Sequence, residues 1–147
     1  ESKLYKNKTG IFLELYKNFG IDISKFNSSG KTSLQTWLPY FTNNQRIIAV
    51  HNTFISKEDL TFTKSYIENR TSNIAFCLCP NANLYIENNL PPIDLLVKNN
   101  CTIVLGTDSL ASNHQLNMLE EIKTIQKFEA ETEDKQIISK IYLQFNF

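Results

Sequence analysis

Several signatures that would settle a function quickly are missing from this sequence. There is no Gly-x-Gly-x-x-Gly and no Gly-Lys-Ser/Thr, so a glycine loop cradling nucleotide phosphates is excluded. No Gly-x-Ser-x-Gly occurs, which counts against the strained nucleophile turn of an α/β-hydrolase. Neither sign of charge dominates: 15 basic and 15 acidic residues balance, without a long like-charge block. Nothing therefore favours nucleic acid or an anionic membrane surface as partner. No apolar run approaches the roughly 20 residues of a membrane span, and the start does not read as a signal peptide. Three cysteines, an odd number, argue against a disulfide scaffold. Cys77 and Cys79 lie two apart on one expected strand, with no further thiols at finger-like spacing. They read as buried strand residues in a protein of the reducing cytoplasm. The sequence opens at Glu1 without an initiator methionine, which suggests a fragment.

What remains is ordinary for one modest soluble domain, with 41% hydrophobic and 20% charged residues over 147 positions. No linker long enough to divide the chain is visible. Ile11, Phe12, Leu15 and Tyr16, followed by Phe19-Gly20, predict a short amphipathic helix over 10–18 with a glycine stop. Residues 26–30 read as a polar loop. Leu34, Trp37, Leu38 and Phe41 then fall at i, i+3, i+4 and i+7 behind Thr32 or Ser33 as cap. The stripe is expected to face the core, and Pro39 to kink or end the helix early.

From residue 46 the chain becomes periodic. Arg46 to Val50, Ile74 to Cys79 and Thr102 to Leu105 are short aliphatic and β-branched runs, unlike helices in length. The last reads as a strand buried on both faces. In the first gap, Ser56 caps a helix with Glu58 and Asp59 in its first turn and Leu60, Thr63 and Ile67 facing inward. In the second, Pro91-Pro92 opens a helix over 93–98, with Asn99-Asn100 as a left-handed stop. After the third run, Met118, Leu119, Ile122 and Ile125 predict a helix to about Phe128 with Glu120 and Glu121 outward. Residues 129–135 read as charged and solvated, and Ile137, Ile138, Ile141, Tyr142 and Phe145 as a last amphipathic helix.

The runs start at 46, 74 and 102, each 28 residues after the one before, with a helix in both gaps. Strand, helix, strand at this spacing is the βαβ unit, so the three strands are expected to be parallel with right-handed crossovers. An open doubly wound sheet and a barrel remain equally compatible with two such units. Either way His51, Cys79-Pro80 and Thr107-Asp108 fall at the same C-terminal edge, where α/β proteins place their catalytic groups. His51 is a candidate because imidazole titrates near pH 7 and binds metals. Asp108 is a candidate because a carboxylate follows directly on the tip of a buried strand. Pro80 to Leu84 is expected to be a rim loop whose Asn83 reaches a substrate or the neighbouring strand tip. His114 reads as a bland loop residue.

Val50-His-Asn-Thr53, Cys79-Pro-Asn-Ala-Asn-Leu84 and Leu105-Gly-Thr-Asp-Ser-Leu-Ala-Ser-Asn113, in that order, resemble the amidohydrolase superfamily. The branch is similar to the cytosine-, guanine- and adenosine-type deaminases and the triazine chlorohydrolases. Leu116 to Glu121 also fits the helix that follows in that branch. The resemblance covers Glu1 to about Gln126, and the ending, 137–147, departs from the family pattern.

The resemblance implies a partial (β/α)8 TIM barrel of about three parallel strands, the sixth to eighth, with flanking helices and the N-terminal half absent. It also implies one divalent metal at the C-terminal rim, zinc first and iron second. Asp108 then matches the eighth-strand aspartate, a metal ligand that takes a proton from the hydrolytic water. His51 matches the sixth-strand histidine that orients that water or polarises the substrate. Glu1 matches the end of a fifth-strand His-x-x-Glu motif, the acid/base that passes a proton to the substrate ring and the leaving amine. Asn83 and Ser109 stand as substrate-binding candidates. The first-strand His-x-His and the fifth-strand histidine are not in this sequence. The implied activity is hydrolytic deamination or dechlorination of a purine, pyrimidine or triazine by a longer parent, with this piece inactive alone and the parent free to form a homo-oligomer. The contrasting reading is a non-catalytic α/β binding module whose rim residues are relics. The residues that precede Glu1 in the parent separate the two, since only the enzyme needs His-x-His and a histidine three positions before Glu1.

Overall fold

The computed structural model describes residues 2–130; Glu1 and the expected C-terminal helix over 137–145 lie outside the described residues. In chain order the elements are α1 (Ser2–Asn7), α2 (Ile11–Asn18), α3 (Ser33–Trp37) running into a 3-10 turn (Leu38–Tyr40), β1 (Arg46–Val50), α4 (Lys57–Glu68), β2 (Asn73–Leu78), α5 (Pro80–Glu87), α6 (Ile93–Lys98), β3 (Thr102–Leu105) and α7 (Met118–Ala130). The strands form one sheet of order β1-β2-β3, parallel throughout, as the 28-residue period predicts. None of the helices among the described residues is long and apolar enough to cross a membrane.

The sheet is covered on one face. Ile47, Ile74, Phe76, Leu78 and Ile103 are buried in one cluster with Leu60 of α4, Ile93, Leu96 and Val97 of α6, and Ile125 of α7. The burial of β2 alternates strictly from Asn73 to Leu78, so its even positions form the middle of this core. On the other face Ile48 and Val50 are exposed and Ala75, Cys77 and Val104 half-buried. β3 is thus not buried on both faces as expected; only Ile103 is fully covered, and Val104 and Leu105 stay half-buried.

Local signals and tertiary demands disagree at three places. Pro80 to Leu84, expected to be a loop, begins α5, with Pro80 preorganised for the first helical turn. Its cap position is Cys79, which makes no side-chain cap bond, so Pro80 is the one local signal that marks the start. The aromatic stripe of α3 is only partly core: Leu38 is buried, whereas Trp37 and Phe41 stay substantially exposed. Trp37 Nε1 instead donates to the Tyr5 hydroxyl at 2.7 Å and ties α3 to α1. On α7 the inward face is rotated from the expected one: Glu121 and Ile125 are buried, whereas Leu119 is exposed.

Ser56 and Asp59 form a complete capping box at the start of α4. Asp59 is buried, and its Oδ1 also accepts from Thr32 Oγ1 at 2.5 Å and Gln35 Nε2 at 2.8 Å. One carboxylate therefore caps α4 and docks the start of α3 on it. Asp59→Ala is expected to lower stability by about 2–3 kcal/mol, since it removes the cap and leaves several donors unpaired. Glu58→Ala, at an exposed position of the same turn, is expected to cost under about 0.5 kcal/mol, both variants being compared by urea unfolding.

Candidate active site

The ladder continues one residue beyond each outer strand. His51 N–H donates to Cys77 O and Gly106 N–H to Leu78 O, both at 2.9 Å. Because the strands are parallel and in register, Val50 beside Cys77 and Leu78 beside Leu105, all three chain exits open on one edge. His51 Nε2 there lies 3.6 Å from Asp108 Oδ2, with side chains 37% and 30% exposed. Two residues 57 positions apart in sequence are thus neighbours at the rim.

Both sit in left-handed backbone, φ 67° at His51 and 57° at Asp108, and Asn52 follows at 53°. Such conformations cost a non-glycine residue of order 1 kcal/mol or more and persist only where neighbours hold them. For the first loop, Asn52 Nδ2 donates to Ala49 O at 2.8 Å and Ile55 N–H to Asn52 O at 3.0 Å. For the second, Ser112 Oγ donates to Asp108 Oδ2 at 2.6 Å and Asn113 Nδ2 to Thr107 O at 2.8 Å. Among the described residues nothing donates to Asp108 Oδ1.

Asn83 is buried on α5 and its Nδ2 donates to Thr53 Oγ1 at 2.7 Å, so it reaches the loop after the neighbouring strand. Asn83 Oδ1 and His51 Nδ1 are buried and without partners among the described residues. Both residues line a cavity of about 280 Å³. Its other walls include Asn52, Thr53 and Phe54 of the same loop, Phe12 of α2, Leu34 of α3 and Ile86 of α5. Asp108 lies beside His51 but does not line this cavity. Ser109 is exposed on the rim, its hydroxyl 3.5 Å from that of Ser112. His114 is exposed and packs edge-on against Tyr85, centroids 5.6 Å apart. Glu1 lies outside the described residues.

Three polar residues around the site carried no functional reading in the sequence: Ser112, Asn113 and Glu121. Glu121, expected to point outward, is fully buried instead, where it accepts from the Asn81 amide at 2.9 Å and Asn113 Nδ2 at 2.7 Å. The physical reason is that α7 packs on the start of α5, whose first amides lack a local cap. Ser112 and Asn113 lie four and five residues after Asp108, a spacing that offered the one local clue to turn-closing side chains.

Cys77, Cys79 and Cys101 are thiols and form no disulfide. Burial, chiefly, pushes the Cys79 thiol up to about 12, and burial also raises Cys77 and Cys101. Gly106 lies tight against these thiols: a Cβ there would meet Cys77 Sγ at 3.0 Å and Cys79 Sγ at 3.3 Å.

Among the described residues no group of three or more His, Cys, Asp and Glu side chains is arranged to hold a metal ion. The donor set that is present, one carboxylate oxygen and one imidazole nitrogen 3.6 Å apart, suits a borderline or hard divalent cation as part of a site. The Cys77 and Cys79 thiols lie against Gly106 and form no group with His51 and Asp108 that could hold an ion. The residues fit an incomplete metal centre that needs ligands from elsewhere.

The parallel α/β sheet carries an imidazole and a carboxylate at its C-terminal edge, the edge at which barrel enzymes place their sites. The chain belongs to the amidohydrolase family, whose family model matches residues 22–137. It is 36% identical over 83 residues to 5'-deoxyadenosine deaminase of Methanococcus aeolicus, covering 56% of this chain and 18% of that protein. It is 31% identical over 99 residues to 5-methylthioadenosine/S-adenosylhomocysteine deaminase of Aquifex aeolicus, covering 67% and 22%. With 5'-deoxyadenosine deaminase of Methanocaldococcus jannaschii it shares 30% over 123 residues, covering 84% and 23%. The chain thus spans about a fifth of the length of these relatives. Its fold is shared with aminofutalosine deaminase of Helicobacter pylori, crystallised with methylthio-coformycin, at TM-score 0.69 and 22% identity over 95% of this chain and 32% of that one.

Two outcomes check the packing around Gly106. Gly106→Ala is expected to destabilise by about 1–3 kcal/mol in urea unfolding, and Cys77→Ala to relieve much of that loss when added to it. The raised Cys79 thiol also makes stability pH-dependent. A folded-state pKa above the ordinary 9.0 leaves stability intact below pH 9 and loses it as pH rises toward 12. The urea midpoint is expected to fall less steeply over that window in Cys79→Ala than in the wild type.

Proposed function

We propose that this chain is the closing part of a metal-dependent amidohydrolase barrel that deaminates the adenine ring of a 5'-modified adenosine. The observation that carries the reading is the approach of His51 Nε2 to within 3.6 Å of Asp108 Oδ2, both in left-handed backbone at the sheet's C-terminal edge. Its strands are taken as the sixth to eighth of the barrel, and the uncovered face with Ile48 and Val50 as the surface that the remainder encloses.

In this reading Asp108 is the carboxylate ligand of one divalent metal, zinc before iron, and the other ligands come from outside this chain. When bound, such an ion supplies Lewis acidity that lowers the pKa of water toward roughly 7. Asp108 accepts the proton of the attacking water, and the Ser112 hydroxyl holds its Oδ2 in place. His51, facing that oxygen, orients the water and donates to oxygen developing at the attacked ring carbon. Water adds at the carbon bearing the amine and the C–N bond breaks; of the water's two protons, the one Asp108 took up and the one released as the added hydroxyl becomes the carbonyl, one ends on the ring nitrogen and the other leaves in ammonia. Glu1 is assigned the shuttle of protons to the ring nitrogen and the departing amine.

An amine is preferred over a halogen as leaving group because the relatives compared above are all deaminases. The cavity beside His51 supports the substrate class. The apolar side chains of Phe12, Leu34, Phe54 and Ile86 suit a deoxy or methylthio 5' end, and the unpartnered Asn83 Oδ1 offers an acceptor to a ligand donor. Ser109 on the rim is a further substrate-binding candidate.

The test is ammonia release by the metal-loaded full-length parent from adenosines, pyrimidines and aminotriazines. Ammonia is expected from 5'-modified adenosines, with Asp108→Asn lowering kcat roughly 10³-fold and His51→Ala roughly 10²-fold. Silence on every aminated ring would sink the reading, and halide released from chlorotriazines would move it to the dechlorinating branch.

A further inference from the structure

Glu121 takes no part in the chemistry just described, yet it is fully buried and no lysine or arginine among the described residues pairs with it. A buried carboxylate without a cation is kept only where hydrogen bonds to its charge compensate the lost hydration. Its two oxygens divide the work. Oε2 accepts from the Asn81 amide, in the first turn of α5, at 2.9 Å. Oε1 accepts from Asn113 Nδ2 at 2.7 Å. The same Asn113 nitrogen donates to Thr107 O at 2.8 Å, directly before the left-handed Asp108. Thr124, one turn along α7, adds a bond from its hydroxyl to Asn81 Oδ1 at 2.6 Å.

We propose that Glu121 is a positioning residue that joins two rim segments, holding the Thr107–Asp108 turn through Asn113 and the start of α5 through the Asn81 amide, so that Asp108 and Asn83 meet their partners across the β1 loop. The inference rests on reading Asp108 and His51 as the reacting centre. The carbonyl directly before the left-handed Asp108 is held by Asn113, whose amide group is itself anchored on Glu121. At the other end, Cys79 cannot cap α5, and the carboxylate that arrives 40 positions after Asn81 does so in trans. The side chain of Asn83, two residues further on, then reaches Thr53, two residues past His51. Both arms are short and geometrically specific, the one to Asn113 buried and the one to Asn81 partly so, whereas the neighbouring Glu120 side chain makes an exposed pair with Lys123 at 2.6 Å on the same helix.

The experiment uses the metal-loaded full-length protein that carries this chain, with the variants Glu121→Gln, Asn113→Ala, their combination, and Glu120→Gln as control. Each of the first two is expected to lower kcat about tenfold with KM within about twofold, and to speed metal loss to a chelator by a similar factor. The double variant is expected to lose little more than either alone, because both cut one chain of contacts. Glu120→Gln should match the wild type. Unchanged kcat and unchanged metal retention in Glu121→Gln and Asn113→Ala, with only a lower melting temperature, would overturn the assignment and leave a purely structural carboxylate. If Glu121→Gln does not fold, Asn113→Ala decides alone, since it spares the bond to α5. A parent that releases no ammonia refutes the deaminase reading, and metal retention still judges Glu121. A parent that neither holds metal nor releases ammonia overturns both.

Discussion

Two hydrogen bonds just past the strand ends, His51 N–H to Cys77 O and Gly106 N–H to Leu78 O, fix where the sheet hands over to its loops. Both use β2 as the template. A slip of one residue on either side would turn inward-facing side chains outward and move a rim residue off the edge. β2 resists such a slip because Ile74, Phe76 and Leu78 are locked in the core on one face. On the other, the Cys77 and Cys79 thiols close on Gly106. Packing in the layer beneath therefore sets the 3.6 Å approach above it.

Beyond the ladder, the rim is held by side-chain acceptors rather than by more secondary structure. Asp59 and Glu121 are both buried carboxylates, and each gathers donors from a distant segment. Asp59 binds Thr32 and Gln35 to the start of α4, behind the cavity. Glu121 binds α5 and the β3 loop on the opposite side. Between them the His51–Asn52 and Asp108 turns stay in left-handed backbone that relaxed loops would abandon. Strain at the two candidate reacting groups is thus balanced by order in their supports.

The sheet is also lopsided. Helices cover one face, whereas Ile48 and Val50 lie open on the other and β1 and β3 are both edges among the described residues. A barrel closes such edges and fills such a face. The sparse donor set at the rim and the half-covered sheet have the same character: among the described residues each is furnished on one side and open on the other.

The three strands, their parallel arrangement and the common edge for His51 and Asp108 were legible in the amino-acid order, because aliphatic runs at a fixed 28-residue period are local signals. So was α4, whose Ser56 and Asp59 lie three residues apart. The family motifs were legible for the same reason, as short ordered strings. Tertiary structure alone decided the rest. Whether Pro80 began a loop or a helix depended on a cap from α7, and whether Glu121 faced water or core depended on that same uncapped turn. The half-exposed aromatics of α3 and the open face of β3 likewise followed from which segments lie over them. Hydrophobic period is written residue by residue along one element, but the partner of a buried polar atom is chosen across elements, and no local pattern carries it.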